Sequence, residues 1–181
     1  MAAGADMELP GASYLFNLSL IAVTFAAVSA LVMLLRQTMG GKLSNFDIHL
    51  ITAYVSGGFA ITLGAVMPPL IWLGGLSPTL SWSVSSSLAG LFVALYLASI
   101  VRRRRKASGP GVPTMVLIDW LLQAVAIVML IVNAVFPLLQ SVLLFSSALT
   151  LSLAVLMWSF VRRIATLLGK KPGEDWDPKR G

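Results

Sequence analysis

Residues 88–106 read LAGLFVALYLASIVRRRRK, and this stretch decides how the chain folds. An almost wholly apolar run has no polar face to turn towards water. It ends abruptly in five consecutive bases, Arg102, Arg103, Arg104, Arg105 and Lys106. At ~1.5 Å rise per residue, about 20 apolar residues in a helix match the ~30 Å hydrocarbon thickness of a bilayer. The run therefore predicts a transmembrane helix, and the bases mark the side on which it stops.

Four further runs of the same kind are present. The five together span about 14–35, 50–73, 80–101, 115–135 and 138–161. Between them they make the chain 57% hydrophobic and 11% charged, where a soluble domain carries about 25% charged residues. The mean hydropathy is +0.89. A soluble globule of 181 residues leaves too much of its surface in water to hide that much apolar area. The predicted fold is an all-α bundle of five spans in one membrane domain (1–168), followed by a polar tail (169–181).

The distribution of bases orients the bundle. Arg36 and Lys42 follow the first run, the five bases follow the third, and Arg162, Arg163, Lys170, Lys171, Lys179 and Arg180 follow the fifth. Those positions hold all 13 Lys and Arg residues, and five spans put them on one side. Four or six spans would break the pattern. Basic segments resist translocation, so that side is cytoplasmic, with the N-terminus outside and the C-terminus inside. The expected location is a bacterial inner membrane. The sequence pI of about 10.2 then records topology and not nucleic-acid binding. Arg102–Lys106 also form a candidate contact for anionic lipid headgroups.

The acidic N-terminal segment, with Asp6 and Glu8, argues against a cleaved signal peptide and for a retained first helix. Zero cysteines exclude disulfides, thiolate metal sites and a cysteine nucleophile. Tyr14, Trp72 and Trp82 near one boundary, and Trp120 and Trp158 near the other, are expected interfacial anchors.

Local signals punctuate the spans. Ser44-Asn45-Phe46-Asp47 has capping-box form, and Ser77-Pro78 starts the third helix with proline at its first position. Gly74-Gly75 supplies the intervening turn, and residues 107–113 (ASGPGVP) form a flexible linker. Pro68, Pro69 and Pro137 are expected to close helices 2 and 4. Sliding the chain by 60 residues aligns Ser86, Ser87, Leu91, Ala94, Ser99, Val101, Arg102 and Arg103 with identical residues at Ser146 through Arg163. Helices 2–3 and 4–5 are thus a candidate parallel hairpin repeat, an arrangement used by some transporter folds.

In lipid, helices associate by close backbone approach, which small residues permit. Ser56, Ala60 and Gly64 form one such row on helix 2. Ser86, Gly90, Ala94 and Ala98 form another on helix 3, and Ala22, Ala26 and Ala30 a third on helix 1. The rows on helices 2 and 3 are expected to face each other, so that Gly90→Leu disrupts their packing. The same rows would serve a homodimer.

Few polar side chains lie within the spans. Asp119 sits one to two turns into helix 4 and is the most informative of them. A proton- or cation-binding role would exploit the cost of keeping a carboxylate from water. The plainer reading is an interfacial acid near the start of its helix. His49, the only histidine, starts helix 2 and would meet Asp119 if helices 2 and 4 were neighbours. Asn17, Gln123, Asn133 and Gln140 offer interhelical hydrogen bonds.

No zinc-protease helix, P-loop or nucleophile elbow occurs, and one histidine cannot axially ligate a haem twice. These residues imply no cofactor and no enzyme. They point to a multi-pass protein acting as an accessory or assembly partner in a membrane complex, in contact with lipid and with a protein partner or further copies of itself. A small homo-oligomeric transporter or channel is the second reading, and a lipid-modifying enzyme the third.

Overall fold

The computed structural model of the chain describes residues 9–38, 45–108, 113–136 and 140–168, without the side chains of 36, 45–47, 50, 105–108 and 165–168. It is helical throughout: α1 (Ala12–Thr38), α2 (Asn45–Leu73), α3 (Pro78–Ser108), α4 (Thr114–Val135) and α5 (Val142–Leu168). Each of the five helices is long and apolar enough to cross a membrane. That is the make-up of a multi-pass membrane protein.

The helix boundaries follow from local chemistry. The Ser77 hydroxyl accepts the Leu80 amide at 3.4 Å, with Pro78 at the first helical position. Gly75 turns the chain at φ +88°, a backbone region that L side chains rarely adopt. α2 runs through the buried Pro68 and Pro69 for one more turn before it stops at Leu73. α4 stops at Val135, because Phe136 (φ −106°, ψ 95°) precedes Pro137 and is pushed into extended backbone. Consequently α5 starts at Val142, four residues later than the apolar run suggests. Ser141 caps it, accepting the Leu144 amide at 3.0 Å. The arginines after the third run extend α3 to Ser108, so the first two residues of the expected linker are helical. Residues 109–112, the Ser44 cap with the Asp47 side chain, Lys42, the acidic N-terminal segment and the 169–181 tail lie outside the described residues and side chains.

Four helices close a ring in which α2 packs on α3, α3 on α4, α4 on α5, and α5 back on α2. α1 lies against α2, with a smaller contact to α5. Across the ring, α3 and α5 touch slightly, whereas the described backbones of α2 and α4 do not approach. The core between them holds Leu15, Ile61, Leu130, Phe145 and Leu149. Trp82 meets Phe145 edge-on at 5.5 Å, and Phe25, Tyr54 and Phe160 stack edge to face at 5.3–6.3 Å. Trp82 is therefore a core residue, only 6% exposed, and not the expected interfacial anchor. The lipid-facing surface is carried by residues such as Leu20, Leu91, Leu121 and Leu143.

Small residues do mediate helix contacts, but with different partners from those expected. Gly64 faces α3, where an added Cβ would sit 3.4 Å from that of Ala89. Its three nearest atoms belong to Ala89 and Leu149 and to none of the expected row. Gly90 faces α4, 3.5 Å from the Leu130 Cβ by the same construction, and Ser86 accepts a hydrogen bond from Asn133 of α4. Ala89 lies one residue from Gly90, about 100° around the helix, and that step moves the α2 contact onto a different row. Ala94 is half-buried, while Ala98 and Ser56 are exposed. A close approach to the backbone of another helix lies elsewhere. A Cβ on Gly58 would lie 2.9 Å from the Ala26 Cβ and 3.0 Å from the Ala22 carbonyl oxygen, so the small row of α1 docks on this glycine.

Candidate functional site

Two polar clusters stand at opposite ends of the ring. The one beside the turns is a clamp. Asn133, fully buried on α4, donates to the Ser86 hydroxyl at 2.8 Å and accepts the Ser141 amide at 2.8 Å. Gln140 donates to the Ser83 hydroxyl at 2.8 Å and the Thr79 carbonyl at 3.1 Å. These amides join α3, α4 and the start of α5 and leave little unsatisfied. Asn17, by contrast, is exposed on α1.

The second cluster lies at the arginine-rich end. Here α2, α3, α4 and α5 splay around a partly open cavity of about 310 Å³. Asp119 enters from α4 and is bound twice from α5. The Arg162 guanidinium forms a salt bridge and hydrogen bond with its Oδ2. The Ser159 hydroxyl donates to the same oxygen at 2.8 Å. Arg162 also lies over the Trp158 ring at 5.8 Å. Asp119 is thus a paired acid at the mouth of a cavity, about 8 Å along its helix.

The remaining walls come from every helix of the ring. α2 gives Tyr54, α3 gives Tyr96 and Arg104, α4 gives Trp120 and Gln123, and α5 gives Arg163. Gln123 is buried on α4. Its Nε2 donates to the Ser152 carbonyl at 3.1 Å, while its buried Oε1 receives no hydrogen bond. A second, smaller cavity of about 10 Å³ continues inward past Gln123 and Ser152 to Ala60 and Gly57. That volume is near the minimum for one water molecule.

The structure does not bring His49 to this site. His49 is exposed on α2, and α2 and α4 do not approach each other. Arg102 and Arg103 are exposed. Arg104, from the same basic run, turns into the cavity, and the side chains of Arg105 and Lys106 lie outside the described set. Arg162, read from the sequence only as a topology signal, is the partner of Asp119. Trp120 lines the cavity instead of lying in the interface alone.

No protein-family model, curated protein or solved structure matches this chain. Among the described residues no three His, Asp or Glu side chains gather as a metal site. The carboxylate of the cavity is already engaged by a guanidinium and a hydroxyl. This arrangement suits holding a polar or charged group, with donors outnumbering acceptors.

Proposed function

We propose that the chain is a non-enzymatic multi-pass membrane protein that serves as an accessory or assembly partner in a larger membrane complex. One observation carries this reading: the polar side chains within the spans mostly close on one another. Asn133, Gln140 and Asp119 bind neighbouring helices, and Thr24, Ser29, Thr52 and Ser87 bond back to their own helix carbonyls. Among the described residues, the half of the ring beside the turns packs Trp82, Phe145 and Leu149 between its helices. The test is to tag the C-terminus at native expression, extract gently, and determine the mass and composition of the particle. A stoichiometric protein partner is the expected result. A homo-oligomer without a partner overturns it.

A specific observation favours the second reading, a small transporter. The cavity at the arginine-rich end reaches inward to Gln123, and the ring contacts suit two parallel hairpins. Exchanging α2 with α4 and α3 with α5 maps the α2–α3 contact onto α4–α5, and α3–α4 onto α5–α2. This supports the candidate repeat, although Asp119 has only Leu50 opposite it when the Pro68 and Pro137 segments are aligned. Solute flux in liposomes that Asp119→Asn abolishes would establish transport.

The N-out, C-in orientation in a bacterial inner membrane rests on the one-sided bases. Because the chain has no cysteine, single-cysteine variants label without background. In intact cells an impermeant maleimide is expected to label Leu76→Cys and to spare Ala107→Cys until the membrane is opened. The reverse pattern would invert the topology.

A further inference from the structure

We infer that the cavity at the arginine-rich end binds a phosphate-class anion, and that the headgroup of a membrane phospholipid is the occupant its walls fit. Three guanidiniums, of Arg104, Arg162 and Arg163, line it against one carboxylate, Asp119. The Nε atoms of Arg104 and Arg162 are buried from solvent and donate no hydrogen bond. Asp119 Oδ2 receives Arg162 Nη2 and the Ser159 hydroxyl, and neither Nε reaches the carboxylate. Buried guanidinium N–H groups favour an acceptor that offers several oxygens at once, and a phosphate matches that geometry better than a single carbonyl does.

Two further features narrow the occupant. Gln123 lines the cavity, is 4% exposed and carries a buried, unpartnered acceptor, Oε1. That atom calls for a donor, such as the hydroxyl of a headgroup. The rest of the wall is apolar, with Leu97, Ile100, Val116 and Val155 among the lining residues. Charged donors over an apolar wall suit an amphiphile whose phosphate sits at the arginines and whose glycerol or acyl part follows the helices. The exposed arginines of the same basic run attract anionic lipid diffusely. Arg104 differs from them in being turned inward.

The experiment uses the full chain, delipidated in mild detergent, with short-chain phosphatidylglycerol and inorganic phosphate as separate probes. Binding is read by native mass spectrometry and by the rise in Tm. Wild type is expected to take one phosphatidylglycerol. Arg104→Gln is expected to weaken it about tenfold, the loss of one charge-assisted hydrogen bond. Arg102→Gln removes the same charge from the exposed surface and is expected to leave the affinity within about twofold. If Arg104→Gln fails to fold, Arg104→Lys keeps the charge, removes the Nε donor, and is compared with Arg102→Lys. Saturation by inorganic phosphate with the same dependence on Arg104 keeps the anion site and identifies a free phosphate as its source. Binding of neither probe, or phosphatidylglycerol binding equally sensitive to Arg102 and Arg104, overturns the inference.

Discussion

Gly58→Ala is expected to lower stability by about 1–3 kcal/mol, while the same substitution at Gly90 leaves it unchanged or slightly higher. Both glycines lie inside helices, where alanine is intrinsically better by about 0.5–1 kcal/mol. The difference comes from what the new methyl meets. At Gly58 it meets the Ala26 Cβ at 2.9 Å and the Ala22 carbonyl oxygen at 3.0 Å. Neither can rotate aside, since one is a methyl fixed to the backbone and the other is backbone itself. The α1–α2 pair must separate, and dispersion contacts along the interface weaken together. At Gly90 the nearest atom is 3.5 Å away, an ordinary van der Waals distance. Leucine at either position would be worse, and Gly58→Leu is expected to undock α1. The measurement is thermal or SDS-driven unfolding of both alanine variants in one detergent. Equal effects at the two sites would mean that α1 does not dock on Gly58.

Asp119→Ala has the second largest expected effect, a destabilisation on the order of 2 kcal/mol. It strips Arg162 of its carboxylate and leaves the Ser159 hydroxyl without its acceptor. Breaking a fully buried ion pair by removing one partner costs about 3–5 kcal/mol. The figure here is smaller because Arg162 retains 28% exposure against 13% for Asp119 and can reach for water. The loss should be mutual. Removing Arg162 as well, in Asp119→Ala with Arg162→Met, is expected to recover at least half of it, because no uncompensated charge remains. A double-mutant cycle reads the coupling. Additive losses would show that the two side chains act independently and that the pair does not hold α4 to α5.

How much of this was legible beforehand differs from element to element. The five helices were, because apolar length is a property of each segment alone. The starts of α3 and α5 show why finer boundaries are harder. Ser77-Pro78 is a local signal and placed α3 correctly, whereas α5 starts after Ser141, whose amide is held by the Asn133 side chain from another helix. The rows of small residues were visible, but their partners were not, since a single residue's step around α3 moves the contact from Gly90 to Ala89. Gly58 lies outside the expected i, i+4 row and its importance appears only when α1 is in place. Asp119 stood out as the one acid within a span, yet its partner depended on which helices are neighbours. The polar spacing of Asp119 with Gln123 on α4, and of Ser159 with Arg162 on α5, was the available sign that two helices turn polar stripes to one cavity.

The clamp at Asn133 also bears on how the chain is made. Synthesis delivers α3 before α4, so Ser86 is available when Asn133 first enters the bilayer. The Ser141 amide that completes its hydrogen bonding belongs to a residue eight positions later in the chain. Until that segment has left the ribosome and folded back, one side of the amide lacks the partner that it has in the folded chain. The half-satisfied asparagine therefore ties the release of α4 into lipid to the arrival of α5, and the last two helices should leave the insertion machinery as a pair.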